Sequence, residues 1–285
     1  MKQEGSHLVG GPQTRLPVTG TSDELHRADA EGNPEDRGTS PFRQFLAFVA
    51  EAGLAILVAL VITALLRVFV FQVFQVPSGS MERTLEQQDR IVAVRLAGFQ
   101  RGDIVVFEDP PGQWMGPQPA ASNPIRRALE TLYLLPDSTQ GYLVKRVIGM
   151  PGDHVACCDQ NDRITVNGVA LDESEYLYAD ASGQLVKPSE VLFDVVVPVD
   201  HIFVLGDHRD RSGDARLHLC EATAPGVPEG MNGFVPVDHV VGPVVATVLP
   251  PGRWRTFSTP GTFSDVPPAQ GEAPQAPILG EGTCR

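Results

Sequence analysis

The chain has 285 residues, a formal charge of −13 and four cysteines, with 28 glycines and 25 prolines gathered toward its ends and in one internal loop. That length accommodates one sizeable domain with an anchor and flanking segments, and no stretch gathers the Lys/Arg cluster that a phosphate backbone requires, which excludes nucleic acid as a partner. Cys157 and Cys158 are adjacent rather than two to four residues apart, so they do not form a zinc motif, and no metal or other cofactor is expected.

Residues 1–43 are polar, rich in Gly, Pro, Thr, Asp and Glu, and lack apolar periodicity, so they cannot repay the entropy of ordering and are expected to be a disordered arm. From Phe45 the sequence turns apolar, and Ala52 to Leu66 carries no charge. The stretch Ala47 to Phe69 would make about 35 Å of helix at ~1.5 Å per residue, enough to cross a bilayer. A single transmembrane helix is therefore expected over 44–71. The long polar segment before it and the bulky Arg67-Val68-Phe69-Val70-Phe71 after it argue against a cleaved signal. Charge does not settle its orientation, because Arg37 and Arg43 precede it while Arg67, Arg83, Arg90 and Arg95 follow.

Beyond the helix, runs with strand character occupy Asp89 to Val94, Asp103 to Glu108, Tyr142 to Ile148, His154 to Ala156, Arg163 to Val166, Leu192 to Val197, Ile202 to Leu205 and Val240 to Val248. Turn signals such as Asn167-Gly168 separate them. The Pro/Gly/Gln stretch from 109 leads into Ile125 to Leu135, where Ile125, Ala128, Leu129, Leu132 and Tyr133 share one helical face, so 109–140 is expected to be an insertion with a surface helix. The expected fold is mainly β: a helix anchor, an antiparallel β-sheet domain over 72–249 with a small inserted helix, and a disordered Pro/Gly-rich tail over 250–285. A bridge from Cys157 or Cys158 to Cys220 and four free thiols are both open readings, with Cys284 unassigned.

Chemistry concentrates at two points. Ser80 lies in Pro77-Ser78-Gly79-Ser80-Met81 just past the apolar run, and Lys145 lies in a strand-like stretch 65 residues later. Among 22 basic residues only Lys2, Lys145 and Lys187 are lysines. Arginine cannot give up its proton in a protein, whereas a desolvated lysine can become a neutral base. A serine/lysine hydrolase follows from that pairing. His208 beside Asp207 offers a Ser/His/Asp alternative, since triads are defined by geometry rather than order.

Four boxes then resemble, in order, those of bacterial type I signal peptidases: Pro77-Ser78-Gly79-Ser80-Met81 with Thr84-Leu85; Arg101-Gly102-Asp103; Lys145-Arg146-Val147-Ile148-Gly149-Met150-Pro151-Gly152-Asp153; and Gly206-Asp207-His208-Arg209-Asp210-Arg211-Ser212-Gly213-Asp214-Ala215-Arg216. The resemblance implies a serine endopeptidase of the plasma membrane, its N-terminus cytoplasmic and its catalytic domain extracytoplasmic, that removes signal peptides from secretory preproteins after small-x-small sites. It implies Ser80 as nucleophile, Lys145 as general base, and Ser78 with the Ser80 N–H as oxyanion donors. Ser212 would hydrogen-bond the lysine, Met81 would pack beside the nucleophile, and Arg209, Asp214 and Arg216 would form a charged turn near the site, more a structural network than a catalytic one. Arg83 stands where the family often has proline, and His208 where it often has asparagine. A paralogue devoted to one class of surface precursors and an inactive membrane scaffold are the competing readings.

Overall fold

The computed structural model describes residues 40–110, 114–116, 123–125, 127 and 141–284, with no account of the side chains of 66–69. Most of the helix expected over Ile125 to Leu135 falls outside these residues, as does the arm before 40. The described residues divide into two units, one ending at Ile56 and one starting at Leu57, and the second holds all the strands.

Helix α1 runs Pro41–Phe69, so the last three residues assigned to the arm begin the helix. Its stretch Pro41–Leu65 is 25 residues long and apolar enough to cross a membrane. Leu54, Ile56 and Leu60 are each more than half exposed, the condition in which a lipid solvent rather than a protein core would cover them.

Thirteen short strands follow among the described residues: β1 (Phe71–Gln75), β2 (Arg90–Val94), β3 (Ile104–Glu108), β4 (Tyr142–Gly149), β5 (His154–Cys157), β6 (Thr165–Val166), β7 (Val169–Ala170), β8 (Phe193–Val196), β9 (His201–Leu205), β10 (Val235–Pro236), β11 (Val240–Leu249), β12 (Arg255–Thr256) and β13 (Ile278–Leu279). The larger sheet is ordered β1-β2-β11-β3-β4-β9-β10, with β12 beside β11, and the smaller β13-β8-β5-β6-β7. Every pairing is antiparallel. Strand β4 lies between β3 and β9, with Lys145 opposite Val105 and Arg146 opposite both Ile104 and Leu205. Seven of its eight residues are buried, which matches a near-continuous apolar run better than the alternation of a half-exposed strand. Lys145 and Arg146 thus enter the interior as neighbours.

The segment expected to be a disordered tail is folded through Cys284. Phe263 and Val266 are buried and join the core of Ile148, Val155 and Phe203. Ile278 and Leu279 pair with Val196 and Val195 of β8, the Thr259 hydroxyl reaches Asp103 at 2.5 Å, and Cys284 is bridged to Cys220. A few apolar anchors, one strand pair and a covalent link order a stretch whose composition reads as unstructured. Cys157 and Cys158 bridge each other, so neither of them pairs with Cys220.

The Cys220–Cys284 link closes a loop with a sequence separation of 64, for which chain entropy gives about 4 kcal/mol of stabilisation. Cys284→Ser is expected to lower unfolding free energy by up to that amount in denaturant titrations under oxidising conditions, and to leave the reduced protein unchanged.

Candidate active site

The stretch after β1 turns at Pro77 into a single 3-10 turn, Gly79–Met81, which buries Ser80 and Met81. Met81 and Leu85 anchor the turn in an apolar cluster with Phe74, Ile104, Val106 and Val144. The Met81 Sδ also accepts the Asp207 N–H at 3.4 Å. Anchored in this way, the turn presents Ser80 to β4. The Lys145 amine lies 2.7 Å from Ser80 Oγ and 3.2 Å from its own neighbour's carbonyl, Val144 O. The Ser78 hydroxyl stands 3.3 Å from Ser80 Oγ, and the Ser80 N–H has no hydrogen-bond partner among the described residues.

Lys145 is 2% exposed and Ser80 is 5%. Burial pulls the Lys145 pKa down from 10.5 to about 8; the charges of Asp214 and Asp207 oppose the fall and that of Arg216 assists it. A lysine shifted this far is about one-tenth neutral at pH 7, and that neutral form can accept a proton.

The charged groups around it are satisfied in pairs. Arg146 forms a two-point contact with Asp207, at 2.8 and 2.6 Å, donates to Gly102 O and lies over the Tyr176 ring. Asp214 caps the short helix α2 (Ala215–His218), takes the Gly206 N–H at 3.0 Å and holds Arg216 at 2.8 and 2.9 Å. Burial works against its ionisation, but the Arg216 charge and hydrogen bonds outweigh that and keep its carboxyl below the usual range. Arg209 pairs with buried Glu173 at 2.5 Å and donates to Gly206 O and Pro188 O. Burial, with the Glu173 charge next, pushes the Tyr176 hydroxyl well up, so it stays neutral and donates to Glu173 at 2.8 Å.

Of the eight site residues expected from sequence, Ser78, Ser80, Met81 and Lys145 converge, while Arg209, Asp214 and Arg216 bond to one another's loops and not to the Ser80 or Lys145 side chains. Ser212 departs from its expected contact. Its buried hydroxyl meets no partner at hydrogen-bonding geometry, although it lies close enough to Asp214 to help lower that carboxyl. It packs instead against Gly206, where a methyl group would strike both the Ser212 side chain and the Ser80 carbonyl. His208 is not placed as a base: its ring faces Glu82 and Tyr178, and only its backbone N–H meets Ser80, at the carbonyl. Sequence reasoning missed Glu173, Tyr176 and Glu82. Arg146 carried a signal, an arginine inside an otherwise apolar strand.

The signal peptidase, peptidase S26, family model matches residues 49–249. The chain belongs to that family. The signal peptidase I of Mycobacterium tuberculosis strain H37Rv is 31% identical over 265 residues, covering 86% of this chain and 85% of the relative. The probable signal peptidase I-1 of Synechocystis is 31% identical over 237 residues, covering 80% and 95%. A crystal structure of a signal peptidase I from Enterococcus faecalis V583 aligns with 52% of this chain and 97% of its own at 23% identity and a TM-score of 0.27. The span matched by the family model contains Ser80, Lys145 and the charged turn, and it stops where β11 ends, so the folded C-terminal segment lies beyond it.

An unfolded lysine holds its proton up to pH 10.5 and Lys145 only to about 8. Between those values the unfolded chain binds more protons, so stability rises with pH across that window, and the cost of burying the charge stands in full below it. Lys145→Met is therefore expected to be inactive yet more stable than the parent at pH 7, by as much as about 3 kcal/mol, with the gain vanishing above pH 10.5. Thermal melts at the two pH values check it.

Proposed function

We propose that the protein is a membrane-bound serine endopeptidase that removes N-terminal signal peptides after small-x-small sites, with Ser80 as nucleophile and Lys145 as general base. The observation that carries the assignment is the 2.7 Å contact between Ser80 Oγ and a buried amine whose pKa burial lowers to about 8. Neutral Lys145 takes the hydroxyl proton as Ser80 Oγ attacks the scissile carbonyl. The Ser78 hydroxyl and the Ser80 N–H, the latter unpartnered among the described residues, stabilise the oxyanion that forms, since both stand beside the nucleophile before the reaction begins. The Lys145 ammonium then protonates the departing amine, leaving an acyl-enzyme and a neutral base that activates water for the second half of the cycle.

Placement at a membrane agrees with the apolar length of α1 and with the position of Ser80, which follows the helix end at Phe69 by only eleven residues. A signal peptide's apolar segment occupies the bilayer and its cleavage site emerges at the surface. The Cys220–Cys284 bridge supports an extracytoplasmic catalytic unit with a cytoplasmic N-terminus, because disulfides persist outside the reducing cytoplasm. Secretory preproteins and the bilayer are the partners in this reading.

The test is cleavage of an Ala-x-Ala signal-peptide substrate by the detergent-solubilised full chain. Cleavage after the second alanine should disappear in Ser80→Ala and in Lys145→Arg, which keeps the charge but has no neutral form, and should fall by about 10² to 10³ in Ser78→Ala. Because the base must be neutral, kcat/KM should rise with pH through about 8 and level off above it. Retained turnover in Lys145→Arg would show that another group is the base.

A further inference from the structure

The turn that carries Ser80 is closed by one backbone hydrogen bond of its own, from the Glu82 N–H to Gly79 O. It is a single 3-10 turn of three residues, and Arg83, two residues beyond it, adopts φ 77°, a left-handed conformation that costs a non-glycine residue on the order of 1 kcal/mol. Contacts from outside the turn must therefore fix it. The Glu82 side chain folds back over Gly79 so closely that a Cβ added there would run into its carboxylate. The same carboxylate, through Oε2, takes a hydrogen bond of 2.9 Å from Nδ1 of His208 and lies 3.5 Å from Arg211. His208 is 4% exposed, and its ring is stacked on Tyr178 at 3.7 Å between centroids. Tyr178 donates its backbone N–H to Asp207 O, and Asp207 is the partner of Arg146. His208 also donates its backbone N–H to the Ser80 carbonyl at 3.0 Å.

We propose that Glu82 and His208 form a positioning pair that fixes the turn bearing Ser80 in the geometry Lys145 requires. The pair grips the turn from two sides, one through the Ser80 carbonyl and the other through the carboxylate laid across Gly79. It transfers to that turn the rigidity of the buried Arg146–Asp207 pair beneath. Nδ1 must carry the hydrogen toward Glu82, so the neutral ring is held in its Nδ1–H tautomer. Rotation of the turn would swing the Ser80 N–H and Oγ together, so the pair sets both the attack line and one oxyanion donor.

The inference rests on the peptidase reading, and one set of assays separates the two. Cleavage of the Ala-x-Ala substrate is measured for the solubilised full chain, Glu82→Ala, His208→Ala, the double variant and Glu82→Gln. Each single alanine variant is expected to lose about 10- to 100-fold in kcat, the scale on which a small misplacement of reacting groups acts, with KM within about twofold of the parent. The double variant should be no slower than the worse single one, because the two residues work as a unit. Glu82→Gln keeps an oxygen acceptor for Nδ1 and should recover most of kcat. Multiplicative losses in the double variant, losses in KM alone, or a parental kcat in either single variant would overturn the proposal. Should alanine at 208 prevent folding, as a thermal melt would show, His208→Asn supplies an amide donor near the place of Nδ1, and loss of kcat in that folded variant sinks the pair. A parent protein that cleaves nothing, or a Ser80→Ala variant that cleaves normally, would instead overturn the peptidase reading.

Discussion

An amine with no carboxylate partner among the described residues, buried in the middle of a sheet and touching a serine hydroxyl, is the constraint around which the structure is arranged. Removing a charge from water costs several kcal/mol unless it is paired or discharged. Lys145 and Arg146 meet that demand in opposite ways. Arg146 cannot lose its proton, so it receives Asp207, two short hydrogen bonds and an aromatic face. Among the described residues Lys145 receives a serine hydroxyl and a backbone carbonyl, and the cost of its charge is relieved only as it gives up the proton above about pH 8. Adjacent residues on one strand thus separate structural from chemical use of a basic group.

The paired ions around the amine explain why that relief is directed at Lys145 and nowhere else. Asp214 and Asp207 are close enough to raise its pKa, but each is already committed to an arginine. Had either carboxylate been free to approach the amine, the ion pair would have kept the proton in place and removed the base. Buried ion pairs contribute little net stability once desolvation is counted. Their value here is to occupy these two carboxylates. Gly206 completes the arrangement sterically, since the Ser80 carbonyl and the Ser212 side chain fill the space a side chain would need.

What the sequence disclosed follows from how locally each feature is encoded. Ser80 and Lys145 were legible because a lysine in a chain that otherwise uses arginine almost throughout, and a Gly-flanked serine after an apolar run, are visible without knowing what touches what. The strands were legible from apolar runs closed by turn residues, and β3, β4 and β9 lie within a residue or two of their expected places. Glu173 was not, because nothing in its neighbourhood distinguishes a loop glutamate that will meet Arg209 from one that faces solvent. The C-terminal segment was misread as disordered because its few apolar residues are scattered among prolines and glycines, and each is stabilised by a partner far away in sequence. Cys284 belongs to the same class: connectivity between cysteines is a property of the fold and not of their spacing. Ser212 shows the converse limit, since its motif leads to a hydroxyl that lies against Gly206 and Asp214 rather than on the lysine.

The short pairing of Ile278–Leu279 with β8 has a consequence for the life of the molecule outside catalysis. Without it β8 would be the end of its sheet, offering unpaired amides and carbonyls alongside the apolar side chains of Phe193 and Val195. Such an edge is a template for strands from other chains. The residues that cover it come more than eighty positions later in the chain, and the Cys220–Cys284 bridge secures them only where thiols oxidise. Whenever that segment is unpaired, β8 is an open edge of this kind, and its pairing with Ile278–Leu279 closes it.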